Sequence, residues 1–185
     1  MNGDIGQIVL DEETIANRLE ELASEMKNDL DEDAVVVGVL RGASVFVADL
    51  MRFLPEKIRL DYLQVVRGEN TVSDEGVDLI KDISTNIEGR KVFLLEDTVD
   101  TGDTLLYLKD YLLDKGAADV KLCVLLDKTE RHEKECPADY VGFRVEGLEG
   151  KWNYVVGYGI DFNEHYRNLP YIGVLKEELW APVEA

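Results

Sequence analysis

The sequence has 185 residues, of which 45% are hydrophobic, and this suits one globular domain with a sizeable core. Its formal net charge of −19 argues against a nucleic-acid-binding or anionic-membrane-binding surface, because phosphate groups repel such a field. The same charge implies that an anionic substrate needs local positive charge in order to bind. No apolar run approaches the ~18 residues of a membrane helix and no signal-peptide pattern is present, so a cytoplasmic location is expected.

Apolar runs typical of buried strands alternate with helical segments along most of the chain. Asp11 is placed to cap the first helix, Pro55 to stop the second, and Gly116 to follow the third. The alternation predicts an α/β fold with a parallel, doubly wound sheet. Strands are predicted over residues 34–40, 58–66, 76–82, 92–95, 120–126, 140–145, 154–156 and 172–174, and helices over residues 11–26, 45–54, 105–115 and 176–180.

One stretch, from Val92 to Thr104, carries the strongest chemical signal. A predicted strand ends at two adjacent acids, Glu96 and Asp97; Asp100 follows, and a Thr-Gly-x-Thr turn leads into a helix. In α/β proteins, ligands bind at the carboxyl ends of strands, with phosphate on the next helix N-terminus. The stretch therefore predicts a sugar-phosphate site whose acids hold ribose hydroxyls or a metal. Helix caps or solvated charges are the alternative, but three acids around one turn repel one another and exceed what capping needs.

A second strand-to-helix turn, Arg41-Gly42-Ala43-Ser44, also offers free amides and small residues that let an anion approach. Alone it is weak evidence for a site, and neither turn matches the P-loop or Gly-x-Gly-x-x-Gly pattern. Two such turns at one sheet edge are nevertheless suited to two phosphate groups.

The segment from Leu95 to Thr104 resembles the phosphoribosyl pyrophosphate motif of the type I phosphoribosyltransferases, in which two acids and two further residues precede Asp-Thr-Gly-x-Thr. The segment Leu40-Arg41-Gly42-Ala43 resembles the pyrophosphate loop of that family. Three further segments resemble parts of the hypoxanthine-guanine phosphoribosyltransferases, and all fall in the family's order: Leu126-Asp127-Lys128-Thr129, Tyr154 to Glu164, and Arg167-Asn168-Leu169-Pro170.

The resemblance, which covers residues 7–175, implies a type I phosphoribosyltransferase-like parallel β-sheet flanked by helices. A small hood is built from the N- and C-terminal segments. Within a single domain spanning residues 1–185, the core would take residues 30–150, the hood residues 1–12 and 150–185, and a mobile lid residues 66–80. In family members the peptide corresponding to Leu40–Arg41 is cis.

The resemblance also implies a purine salvage transferase that uses Mg2+. Such an enzyme converts 5-phosphoribosyl 1-pyrophosphate and hypoxanthine or guanine into IMP or GMP and pyrophosphate. The expected partners are these two substrates and further copies of the chain in a homodimer or homotetramer, with no nucleic acid and no membrane.

Residue roles follow from the matched motifs. Glu96 and Asp97 would accept hydrogen bonds from the ribose hydroxyls, and Asp100 would take the N7 proton as the purine attacks C1. The donor phosphate and ribose would contact the run Glu96, Asp97, Asp100, Thr101, Gly102, Asp103 and Thr104. Pyrophosphate would contact Arg41, Gly42 and Arg167, and the Mg2+ candidates are Glu96, Asp97 and Asp161.

The purine would be held by Lys128, Tyr154, Val155 and Asp161. Lys128 carries only N–H donors, which suits a 6-oxo group rather than the 6-amino group of adenine. Tyr154 would stack on the purine face, and the backbone of Val155 would meet the ring edge. Alone, Lys128 is more often a solvated charge and Tyr154 more often a core residue; their joint placement in family order favours the site.

Two departures from the family pattern stand out. The Ser-Tyr usual at the start of the lid is replaced by Val65-Val66-Arg67-Gly68, and Arg67 is hypothesised to contact pyrophosphate. Asp103 adds a carboxylate to the phosphate turn, where it either weakens donor binding or acts as a cap. The alternatives in function are a pyrimidine-type phosphoribosyltransferase that also binds RNA as a regulator, and a nucleotide-binding module without catalysis.

Overall fold

The computed structural model describes residues 3–67, 77–128, 138–144, 146 and 154–180. Most of the predicted lid, residues 68–76, lies outside this part, as do the side chain of Arg67 and residue Thr129. The described strands are β1 (Ile5–Leu10), β2 (Val35–Leu40), β3 (Arg59–Arg67), β4 (Val77–Lys81), β5 (Lys91–Val99), β6 (Asp119–Asp127), β7 (Tyr140–Arg144), β8 (Val155–Val156) and β9 (Ile172–Leu175).

Three α-helices are described: α1 (Glu12–Met26), α2 (Ser44–Leu50) and α3 (Asp103–Asp114). Asp11 caps α1 as predicted, and its carboxylate accepts a hydrogen bond of 2.8 Å from the Thr14 amide. The second helix is shorter than predicted, because the chain tightens into a 3-10 turn at Met51–Phe53 before Pro55. Gly116, with φ +94°, follows α3 in the left-handed conformation that glycine favours.

The main sheet has the order β4-β3-β2-β5-β6-β7. Four of its five strand pairings are parallel, which confirms the α/β prediction. Strand β4 runs antiparallel to β3, so the prediction of a fully parallel sheet is wrong at this edge. The reason is length: residues 68–76 are fewer than the roughly dozen that a parallel crossover needs.

A second, antiparallel sheet has the order β1-β9-β8 and joins the N-terminal segment to the later part of the chain. We call this three-stranded sheet the hood sheet. Strand β1 is not among the sequence predictions. Only one of its apolar side chains, that of Ile5, is fully buried, so the segment lacks the continuous apolar run of a core strand. Its partner β9 supplies the pairing that makes it a strand.

The main sheet is buried on both faces, as its continuous apolar strands require. One face packs against α1 and α2 through residues such as Leu19, Phe46 and Phe93, and the other packs against α3 through Leu94 and Leu108. Cys123 lies fully buried in β6. Among the described helices, none is long and apolar enough to cross a membrane.

A buried carboxylate, Asp61 on β3, holds the edge of the main sheet to the connection that leads into β5. Its oxygens accept hydrogen bonds of 2.7 Å from the amides of Ser84 and Thr85, and of Tyr62. Burial alone raises the pKa of this carboxyl, but the amide donors outweigh burial and hold the pKa of Asp61 well below its usual value.

Asp61→Asn is therefore expected to lower the free energy of unfolding by about 1–3 kcal/mol at pH 7, because three partly buried amides lose a charged acceptor. A depressed folded pKa gives stability that is present above the unfolded value of about 3.9 and is lost as pH falls below it. The difference in free energy of unfolding between Asp61→Asn and the unmodified protein should thus become smaller below about pH 4. Denaturant unfolding at several pH values measures this, with the exposed Asp110→Asn as control; equal losses in both variants would contradict the assignment.

Candidate active site

Strand β5 carries the two adjacent acids within its length rather than at its end. The ladder with β6 continues through Thr98 opposite Leu126 and Val99 opposite Asp127. The sequence expectation that the strand stops before Glu96 is therefore wrong. The change from apolar to acidic side chains marks the point where β5 leaves the helix-covered core, while backbone pairing continues beyond it.

The turn after β5 forms the floor of a cavity of about 270 Å³. Gly102, with φ +91°, adopts the left-handed conformation and lets the chain enter α3 directly. The first amides of α3 have no acceptor within the helix, so this end of the cavity is suited to an anion. The lining includes the predicted donor-site residues Glu96, Asp97, Asp100, Thr101, Gly102 and Thr104, together with Leu40 of β2.

Glu96 and Asp97 are destabilised as charges. Burial, and then the neighbouring charge of Asp97, raise the pKa of Glu96 well above its ordinary value. Burial also raises the pKa of Asp97, although the Thr98 amide and the charges of Lys128 and Arg167 act against this rise. A pair of this kind gains free energy from hydroxyl donors or from a cation.

Glycines let two loops pack closely beside Glu96 and Asp97 of strand β5. The Leu40–Arg41 peptide is cis, and a Cβ atom on Gly42 would lie 1.8 Å from Oδ2 of Asp97. A Cβ atom on Gly159, which has φ +100°, would lie 2.1 Å from the carbonyl oxygen of Gly42. The loop after β2, strand β5 and the loop after β8 are thus packed at a spacing that only glycine permits.

Ion pairs hold the side chains of Arg41, whose backbone is predicted to bind pyrophosphate, and of Arg167, whose guanidinium group is predicted to bind it. Nη1 of Arg41 lies 2.6 Å from Oε2 of Glu164, and Nη2 of Arg167 lies 2.8 Å from Oδ1 of Asp161. Arg167 also donates to the carbonyl of Gly159 at 2.9 Å and reaches Glu164 at 3.3 Å. Glu164 has no predicted role of its own; its spacing, three residues after Asp161 and three before Arg167, is the sequence signal that could have identified it.

The predicted base-binding residues lie in two places. Lys128 follows β6, is 8% exposed, and donates its backbone N–H to Val99 at 3.2 Å. A solvated surface lysine is therefore the wrong interpretation of this residue. Tyr154 and Val155 belong to the hood sheet region, where Val155 pairs with Val174, and they lie outside the lining of the cavity described above.

Asp103 is the first residue of α3, and its Oδ2 accepts a hydrogen bond of 2.9 Å from the Thr101 hydroxyl. A carboxylate in the first turn of a helix is favoured by the partial positive charge there. The N-cap of α3 is Gly102, so the capping role considered for Asp103 is wrong.

Metal binding by protein groups alone is not indicated, since no three His, Cys, Asp or Glu residues converge within the described ranges. This fits Mg2+, which takes one or two carboxylates and completes its shell with water and substrate phosphate. Glu96, Asp97 and Asp161 carry carboxylate oxygens, which are the hard donors that Mg2+ prefers.

Glu96→Gln is expected to stabilise the ligand-free protein at neutral and higher pH. A raised folded pKa favours the protonated carboxyl, so its contribution to stability is present below the unfolded value of about 4.3 and is lost as pH rises through the folded value. The variant should therefore match the unmodified protein below about pH 4, and its free energy of unfolding should exceed that of the unmodified protein by an amount that grows as the pH rises above this value. Thermal unfolding measures the difference, and the exposed Glu88→Gln is the control; a gain that does not grow with pH would count against the raised pKa.

Comparisons with known proteins agree with this geometry. Residues 7–163 match the phosphoribosyl transferase domain family. The chain is 41% identical over 179 residues to the hypoxanthine-guanine phosphoribosyltransferase of Streptococcus thermophilus, covering 96% of this chain and 97% of that protein. It is 40% identical over 183 residues to the bifunctional protein TilS/HprT of Listeria monocytogenes, and it spans 28% of that longer protein.

A crystal structure of a hypoxanthine phosphoribosyltransferase from Staphylococcus aureus has the same fold, with a TM-score of 0.88 and 34% sequence identity. The similarity covers 98% of this chain and 100% of that one. The family match, the full-length identity and the site at the end of β5 lead to one assignment: the chain belongs to the phosphoribosyl transferase family, among the hypoxanthine-guanine phosphoribosyltransferases.

Proposed function

We propose that the chain transfers the phosphoribosyl group of 5-phosphoribosyl 1-pyrophosphate to hypoxanthine or guanine, which yields IMP or GMP and pyrophosphate. The observation that carries this proposal is the cavity that is lined by Glu96 and Asp97 and by the start of α3. Asp100, which also lines it, lies in the chain between the two acids and the helix. The two ends of the cavity suit the two parts of a ribose phosphate, hydroxyls at the acids and phosphate at the helix.

Donor binding uses opposite chemistries at these two ends. The 5-phosphate accepts hydrogen bonds from the amides that begin α3 and from the hydroxyls of Thr101 and Thr104. The ribose hydroxyls donate to Glu96 and Asp97; burial raises the pKa of both carboxyls, so their charged forms gain free energy from such hydrogen bonds. Pyrophosphate binds beside Gly42, where the guanidinium groups of Arg41 and Arg167 exchange their protein carboxylates for phosphate oxygens.

In the reaction, a purine nitrogen attacks C1 of the ribose as the bond from C1 to pyrophosphate breaks. Positive charge develops on the sugar, and the fixed carboxylates beneath it stabilise that charge. Asp100 accepts the N7 proton of the purine, a role that its place between the acid pair and the phosphate turn allows. The leaving group departs toward Arg41 and Arg167.

A 6-oxopurine is the expected acceptor because Lys128 offers donors alone. Lys128 has little exposure to water, so the 6-amino group of adenine would place its N–H donors opposite those of Lys128 with no acceptor between them. Leaving these donors without hydrogen bonds in a buried site is costly. Tyr154 supplies the stacking face, and the backbone of Val155 meets the edge of the ring.

The proposed metal is Mg2+, which when bound neutralises charge on the donor and on the departing pyrophosphate. Asp161 would hold it, with Glu96 and Asp97 as further candidate ligands near the ribose. We also infer a cytoplasmic setting for this reaction, because a donor bearing several phosphate charges does not cross a bilayer unaided.

The direct test is to incubate the protein with the donor, Mg2+ and each nucleobase in turn, and to follow nucleotide formation. Hypoxanthine, guanine or both should give product, whereas adenine and uracil should not. Product from uracil but not from hypoxanthine would replace this proposal with the pyrimidine-type alternative. Tight donor binding without turnover on any base would favour a binding module.

Asp100→Asn tests the proton acceptor. The variant keeps the size and most hydrogen bonds of the side chain but accepts no proton, so kcat should fall by about 10²–10⁴-fold. The Kd for the donor, measured by calorimetry, should change by less than about threefold, because backbone amides and hydroxyls hold the phosphate. A kcat near that of the unmodified protein would remove Asp100 from the proposed proton transfer.

A further inference from the structure

A pair of stacked aromatic rings links the proposed base site to the segment after β9. The rings of Tyr154 and Trp180 are nearly parallel, with an interplanar angle of 11° and a centroid separation of 3.8 Å. Phe162 meets Tyr154 edge-on at 5.9 Å. The orientation of the Tyr154 ring is therefore set by two aromatic neighbours, one across its face and one at its edge.

Trp180 packs in the hood. It does not line the cavity of about 270 Å³ at the start of α3, which we call the donor cavity. Its indole Nε1–H donates to the carbonyl of Leu175 at the end of β9, at 3.2 Å. The ring packs with Ile5 and Leu175 in the apolar cluster of the hood sheet. It also lines a separate depression beside Gly6 and Val174, whereas the donor cavity is lined by β5 and the start of α3.

We propose that Trp180 is a positioning residue for the purine: it covers one face of Tyr154 and fixes the ring so that the opposite face receives the base. This inference rests on the proposed function, in which Tyr154 is the stacking surface. An aromatic ring held from behind loses less rotational freedom when a base binds, so the base binds more tightly.

The consequence is confined to the base. Loss of the indole frees Tyr154 to rotate, so the KM for hypoxanthine should rise by about three- to tenfold, the range expected for one aromatic pair. The KM for the phosphoribosyl donor and the kcat at saturating base should change by less than about twofold. A merely structural role for Trp180 would lower the unfolding midpoint without separating the two KM values.

The experiment compares Trp180→Phe with Trp180→Leu in the full chain, with both substrates varied. Phenylalanine retains an aromatic face, whereas leucine fills the hood with apolar volume and offers no ring. Selective loss of base affinity in Trp180→Leu, with recovery in Trp180→Phe and similar unfolding midpoints, supports the proposal. Equal base KM values in the two variants overturn it.

Two further outcomes are separable. A lower base KM in Trp180→Leu than in the unmodified protein would show that the indole competes with the base for the same face, which also overturns the proposal. Tyr154→Leu tests the stacking surface itself. If Tyr154→Leu leaves the base KM unchanged, the role of Tyr154 in the proposed function fails, whatever the Trp180 variants do; absence of turnover in the unmodified protein would reject the activity as a whole.

Discussion

The site depends on the close approach of two loops at the carboxyl edge of the main sheet. The backbone of Gly42 lies against the Asp97 side chain, where a Cβ atom would come within 1.8 Å of a carboxylate oxygen. Gly159 presses on the carbonyl of Gly42 from the hood in the same way, at 2.1 Å. Because both contacts have backbone on at least one side, the spacing between β2, β5 and the hood has little freedom to adapt. A ligand that binds here meets a surface fixed before it arrives, which lowers the entropic cost of binding.

Positively charged side chains gather at this edge, although the molecule as a whole is strongly acidic. The chain carries a net charge of −19, yet Arg41, Lys128 and Arg167 all belong to the proposed site. Two of these cations pair with Glu164 and Asp161, and the charges of Lys128 and Arg167 reach Asp97. The carboxylates thus hold the guanidinium groups in place, while burial leaves Glu96 and Asp97 in need of donors. The proposed phosphoribosyl substrate, with its hydroxyls, phosphate groups and bound cation, would satisfy both demands at once, and this is how the proposed function reconciles an acidic protein with a phosphorylated substrate.

The hood brings further residues to the same edge of the main sheet. Its loop carries Gly159, Asp161, Glu164 and Arg167 to the pyrophosphate side, and its aromatic cluster places Tyr154 against Trp180. The hood sheet is built from strands distant in sequence, so the position of the proposed base-binding residues Tyr154 and Val155 depends on pairing between β8 and β9 and between β9 and β1.

Local periodicity is sufficient to predict the α/β class and most strands and helices, and the short, specific pattern around Asp100 is sufficient to propose the donor motif. Tertiary structure decided what depends on contacts between distant segments. It made β1 a strand through pairing with β9, turned β4 antiparallel because its connection is short, and extended β5 through Glu96 and Asp97 by pairing with β6. The pairing of Glu164 with Arg41, 123 positions away, and the stack of Trp180 on Tyr154 have no local signature either. Side chains that meet only when the sheets assemble leave no periodic trace in the chain.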